Sequence, residues 1–71
     1  MNPDRITESM RHRWDRRIEY LVGHADDLTD WEIEFVDSLD ASRSTGKDLT
    51  FRQVQALYRI YNMISGKERT T

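Results

Sequence analysis

An all-α fold, a small three-helix bundle, follows from three observations on this sequence. Apolar residues recur every three or four positions in three separate stretches, which is the spacing of one helix face. Each stretch is preceded by residues that cap helix N-termini. No segment shows the strict apolar–polar alternation of a half-buried strand. The chain of 71 residues has room for one domain, because separate cores rarely form below about 50 residues each. The domain is expected over residues 1–66, with residues 67–71 as a frayed tail.

The first helix is predicted over residues 3–22. Asn2-Pro3-Asp4 supplies a capping side chain, a proline at the first helical position and an acid at the positive end of the dipole. Ile6, Met10, Trp14, Ile18 and Leu21 then form one apolar stripe, which Gly23 ends in a left-handed cap. Arg5, His12, Arg13, Arg16 and Tyr20 fall opposite that stripe, and Arg17 borders it.

The second helix is predicted over residues 30–41. Thr29 caps it, Glu32 reaches back as the other half of a capping box, and Leu28 staples to Ile33. Trp31, Phe35, Val36 and Leu39 make its apolar face, with Asp30, Glu34, Asp37 and Asp40 on the other side. The third helix, predicted over residues 50–65, repeats the grammar: Thr50 caps, Gln53 closes the box, and Leu49 staples to Val54. Val54, Leu57, Tyr58, Ile60, Tyr61 and Ile64 form a broad apolar face, and Ser65-Gly66 is the expected stop. The predicted core is Trp14, Trp31, Phe35, Leu39, Leu57, Tyr61 and Ile64. Tyr20 and Phe51 are expected outside it, as aromatic anchors for an interface.

Charge is segregated along the chain. The net charge of -2 averages a basic-leaning segment 1–23, an acidic segment 24–42 without Lys or Arg, and a basic segment 43–71. Two uses of this pattern are open and compatible: the acidic segment lies beside the basic ones within the fold, and the opposite-signed segments offer faces to partners. The absence of cysteine removes disulfides, thiol nucleophiles and zinc–thiolate sites and favours a reducing compartment. No apolar run approaches the ~20 residues of a membrane span, and the arginine-rich start does not read as a signal peptide, so a cytoplasmic location without membrane contact is expected.

Catalytic chemistry is not indicated, and no cofactor is implied. His12 and His24 lack a nucleophile or further ligands at helical spacing. The acids from Asp26 to Asp37 do not follow the alternating order of a calcium loop, so no metal site is expected. The loop Ser42-Arg43-Ser44-Thr45-Gly46-Lys47 resembles a phosphate loop only in its Gly-Lys, since Ala41 and Asp48 stand where a glycine and a hydroxyl are needed.

What remains are surfaces. The acidic row Asp30, Glu34, Asp37 and Asp40 suits a basic protein partner, presenting carboxylates in place of phosphates. The basic set Arg5, Arg13, Arg16, Arg17 and Tyr20 suits a partner of opposite sign. An alternative is direct DNA binding by Arg52, Gln55, Arg59 and Asn62, side-chain types that pair with base edges, with Arg43 and Lys47 on phosphates. The acidic helix before this face and the long connection depart from a helix-turn-helix. Self-association is a further expectation, because so short a chain builds a small core.

Leu28-Thr29-x-Trp31-Glu32-x-x-Phe35-x-x-Ser38-Leu39, followed by Leu49-Thr50-x-x-Gln53-x-x-x-Leu57-x-x-Ile60, resembles short bacteriophage and prophage proteins and appendages of phage replication proteins. The resemblance spans residues 28–64. It implies an origin and a setting, a small phage-type helical module working in a bacterial cytoplasm around nucleic-acid machinery, and it carries no catalytic residues. The leading expectation is a non-enzymatic accessory protein or inhibitor that binds a component of that machinery.

Overall fold

The computed structural model describes residues 6–69, with side chains from 6 to 66. Asn2, Pro3, Asp4 and Arg5 therefore lie outside the described residues. Among the described residues three α-helices form: α1 over Glu8–Val22, α2 over Asp30–Ser44 and α3 over Phe51–Arg69, with a short 3₁₀ turn at Ala25–Asp27 between the first two. The predicted all-α three-helix class is the observed one.

α1 starts later than predicted because Thr7 takes the capping role. Its backbone is extended, and its hydroxyl accepts the Met10 amide at 3.2 Å. Ile6 precedes the helix yet still packs against the core. At the other end Gly23 is right-handed, with φ -72°, rather than the left-handed cap expected. The chain there tightens into the 3₁₀ turn, His24 donating to the Leu21 carbonyl and Asp27 to that of His24.

Both capping boxes form as predicted. The Thr29 amide donates to Glu32 Oε1 at 2.8 Å and the Glu32 amide to Thr29 Oγ1 at 3.2 Å. The Thr50 and Gln53 pair repeats this at 2.9 and 3.2 Å.

The helix C-termini differ from expectation. α2 continues past residue 41 to Ser44, where Gly46 at φ 84° supplies the left-handed turn. Gly46 donates to Arg43 and Lys47 to Ser42, both at 3.0 Å, so the last carbonyls are satisfied by a Schellman motif. α3 passes through Ser65-Gly66 to Arg69. A glycine inside a helix costs about 1 kcal/mol relative to alanine, a penalty that does not by itself end a helix.

Contacts at successive points fix the helix directions. Arg11 of α1 meets Asp48 in the α2–α3 connection, Arg17 lies over Tyr58, and Tyr20 meets Tyr61. α3 therefore runs in the same direction as α1, with α2 antiparallel to both. α1 packs extensively on both partners, whereas α2 and α3 touch each other sparsely. The buried core is Trp14, Ile18 and Leu21 from α1, Val36 and Leu39 from α2, Leu49 from the connection, and Leu57, Ile60 and Ile64 from α3.

Of the predicted core, Trp14, Leu39, Leu57 and Ile64 are buried, and Phe35 and Tyr61 pack half-buried against them. Trp31 is the correction: it is 63% exposed. Val36 and Leu39 set the inward direction of α2, and at 100° per residue Trp31 points roughly 110° away from their midpoint. Phe51 is 76% exposed, as expected of a residue off the main stripe.

Candidate interaction surfaces

An ion-pair framework clamps the start of α1 to the end of α2. Arg43 holds Asp15 through Nε at 2.8 Å and Nη2 at 3.4 Å, and its Nη1 donates to the Lys47 carbonyl at 2.7 Å. Its guanidinium also lies 3.5 Å from Asp48 and 5.9 Å from the Trp14 ring centre. Arg11 grips the two oxygens of Asp48 at 2.7 and 3.2 Å. The hydrogen bond and charge of Arg11 hold the Asp48 carboxyl below its ordinary 3.8, and the same contact raises Arg11. The hydrogen bond to Asp15 likewise raises Arg43.

This framework bears on two expectations. Arg43, proposed for nucleic-acid phosphates, is turned inward with its side chain only 14% exposed. The complementarity between acidic and basic segments is not what pairs the charges either: among the described residues, the ion pairs use Asp15 and Asp48, both outside segment 24–42. The sequence reading missed Arg11, Asp15 and Asp48, because the Arg11–Asp48 and Arg43–Asp15 pairs join residues 37 and 28 positions apart.

The predicted basic face is divided. Arg5 lies outside the described residues. Arg13 and Arg16 are exposed and form no ion pair among the described residues. Arg17 bends back over the rings of Tyr58 and Tyr61, 4.7 and 5.0 Å from their centres, and donates to the Arg13 carbonyl. Tyr20, expected to project outward, is half-buried, stacked on His24 at 4.1 Å and edge-on to Tyr61 at 5.0 Å. Around these side chains runs an open groove of about 490 Å³ that also includes Glu19 and Gly23.

The α3 candidates Arg52, Gln55, Arg59 and Asn62 are all exposed. Lys47 is exposed as well, its backbone carbonyl engaged by Arg43.

The acidic row is intact. Asp30, Glu34, Asp37 and Asp40 are all exposed on α2, and none forms an ion pair among the described residues. They follow one another at steps of four, three and three, so each carboxylate neighbours the next on the same side of the helix. Beside the row the exposed Trp31 ring lies parallel to Phe35, with centres 5.4 Å apart and planes 3° from parallel. The sequence reading assigned Trp31 to the core and so missed this exposed, stacked indole. Its phase becomes informative only once Val36 and Leu39 are seen to face inward.

Among the described residues, no group of three His, Cys, Asp or Glu is placed to hold a metal ion. No described helix is long and apolar enough to cross a membrane. Searches against protein-family models, curated proteins and solved structures each give no match.

Proposed function

We propose that the chain is a non-enzymatic interaction protein that occupies a positively charged surface with the outer face of α2. The observation that carries this reading is the row Asp30, Glu34, Asp37 and Asp40, four exposed carboxylates on one helix side without an ion pair among the described residues. Like charges at these spacings destabilise a helix by about 0.2–0.5 kcal/mol per pair. Asp30 gains from the helix dipole in the first turn of α2, but the mutual repulsion along the row works against the helix that displays it, as expected of a surface kept for binding.

A regular line of carboxylates can enter a groove built for phosphates, because both ligands accept hydrogen bonds from Arg and Lys. The resemblance to short phage and prophage proteins supports a setting: an accessory protein or inhibitor acting on nucleic-acid machinery in a bacterial cytoplasm. The basic side is the weaker surface, since Arg17 is committed to Tyr58 and Tyr61.

A second reading is direct DNA contact by α3, favoured by the joint exposure of Arg52, Gln55, Arg59 and Asn62. The commitment of Arg43 to Asp15 weakens it, leaving Lys47 as the loop cation still directed to solvent.

The test is a pull-down from bacterial lysate with the tagged protein as bait, with and without nuclease. The proposal expects a basic protein partner that survives digestion. Nucleic acid in the eluate, with protein partners lost on digestion, contradicts it and favours α3. In that case Arg52→Ala should cost ~1–3 kcal/mol and relax base preference.

A further inference from the structure

We infer that the Trp31–Phe35 ring pair is a docking platform for an arginine side chain, carried by a positively charged segment of a partner protein. The inference rests on the reading of α2 as the docking face and names the chemistry that face selects. Its starting point is the aromatic pair rather than the acids. Trp31 is 63% exposed, although an indole is among the side chains with most to gain from burial. The half-buried Phe35 ring stacks on it, with planes within 3° of parallel and centres 5.4 Å apart, so Phe35 holds the exposed indole in a defined plane at the start of α2.

Charge decides the occupant. Asp30 adjoins Trp31 in the chain, and Glu34 follows it by three positions, on the same side of the helix. An uncharged apolar segment would cover the rings but leave these carboxylates to be desolvated without partners. A second copy docking symmetrically would bring two acidic rows together.

A cationic side chain meets both requirements, and arginine meets them best. Its planar guanidinium lies face-on over an indole while its N–H edge points at a carboxylate. It is also more weakly hydrated than an ammonium, so it gives up less on leaving water. Lysine, a compact point charge, satisfies the carboxylates without using the flat face.

The test uses two peptides of equal charge, hexa-arginine and hexa-lysine, titrated against the full chain. Fluorescence is the readout, with the buried Trp14 as internal evidence of folding, since it is 2% exposed. The inference expects hexa-arginine to bind roughly five-fold more tightly and to change the emission of Trp31. Trp31→Leu should remove that preference while leaving hexa-lysine affinity unchanged, and Trp31→Tyr should keep part of it.

Equal binding of the two peptides, or an arginine preference that survives Trp31→Leu, overturns the inference. A Trp31 signal that depends on protein concentration without peptide also overturns it, in favour of a second copy. Glu34→Lys with Asp37→Lys separates the two levels of the argument. If that variant weakens both peptides equally while no arginine preference exists, the acidic docking face stands and the arginine platform falls. If it changes neither, the docking face falls as well.

Discussion

Arg43 near the end of α2 and Asp15 at the middle of α1 form a two-pronged ion pair, with Nε and Nη2 at 2.8 and 3.4 Å from the carboxylate oxygens. The pair joins residues 28 positions apart. The third prong of the same guanidinium closes the α2 C-terminus on the Lys47 carbonyl. One side chain thus fixes both the antiparallel packing of α1 on α2 and the turn that leads to α3.

Arg43→Ala is expected to destabilise the fold by about 1–2 kcal/mol, the lower part of the range for hydrogen bonds to charged groups, because Asp15 is partly open to water. In a domain of this size that lowers the thermal midpoint by roughly 5–15 °C. Asp15→Ala should cost less, since Arg43 keeps the Lys47 carbonyl. Equal midpoints for Arg43→Ala and the wild type would show that the framework contributes nothing.

Asp48 makes stability depend on acid. Its carboxyl is held below 3.8 by the Arg11 hydrogen bond and by nearby charge. A group whose folded pKa lies below its unfolded value contributes stability above the unfolded value, and the contribution is lost as pH falls through the folded one. Asp48→Asn should therefore be less stable than the wild type at neutral pH, with the gap narrowing below about pH 4. Thermal midpoints measured from pH 7 to pH 2 check this, and parallel curves would contradict it.

Gly46 sits at φ 84° with nothing within 4 Å of where a side chain would begin. The cost of Gly46→Ala is therefore conformational rather than steric, on the order of 1 kcal/mol. Chemical denaturation should show a lower midpoint with an unchanged slope.

The sequence disclosed the helix starts more fully than the helix ends. A capping box is written within four consecutive residues, so Thr29 with Glu32 and Thr50 with Gln53 could be read directly and both form. The stops depended on which glycine would turn left-handed, and Gly46 does so after α2 whereas Gly23, after α1, does not. Trp31 was misplaced because an apolar residue in a helical run does not announce its phase. Only Val36 and Leu39, once packed on α1, fix which way α2 faces. Arg43 looked like a free loop cation because its partner lies on another helix. The acidic row was legible as composition and spacing, but its lack of ion pairs among the described residues required the fold.

If the row serves binding rather than folding, removing its charge should help the fold. Glu34→Gln with Asp37→Asn relieves three like-charge neighbours in the row and is expected to raise stability by about 0.6–1.5 kcal/mol, about 0.2–0.5 for each. The gain should shrink as salt is added, because the repulsion is screened. A loss of stability in low salt would mean that these acids support the fold.

The central claim is that the acidic face of α2, and not the basic face of α1, meets the partner. Capture of the nuclease-resistant partner by Glu34→Lys with Asp37→Lys, compared with capture by Arg13→Glu with Arg16→Glu, tests it most directly. The account predicts that the first variant loses the partner and that the second retains it, with wild-type association slowing as salt rises. Retention by the first variant, or loss confined to the second, would contradict it.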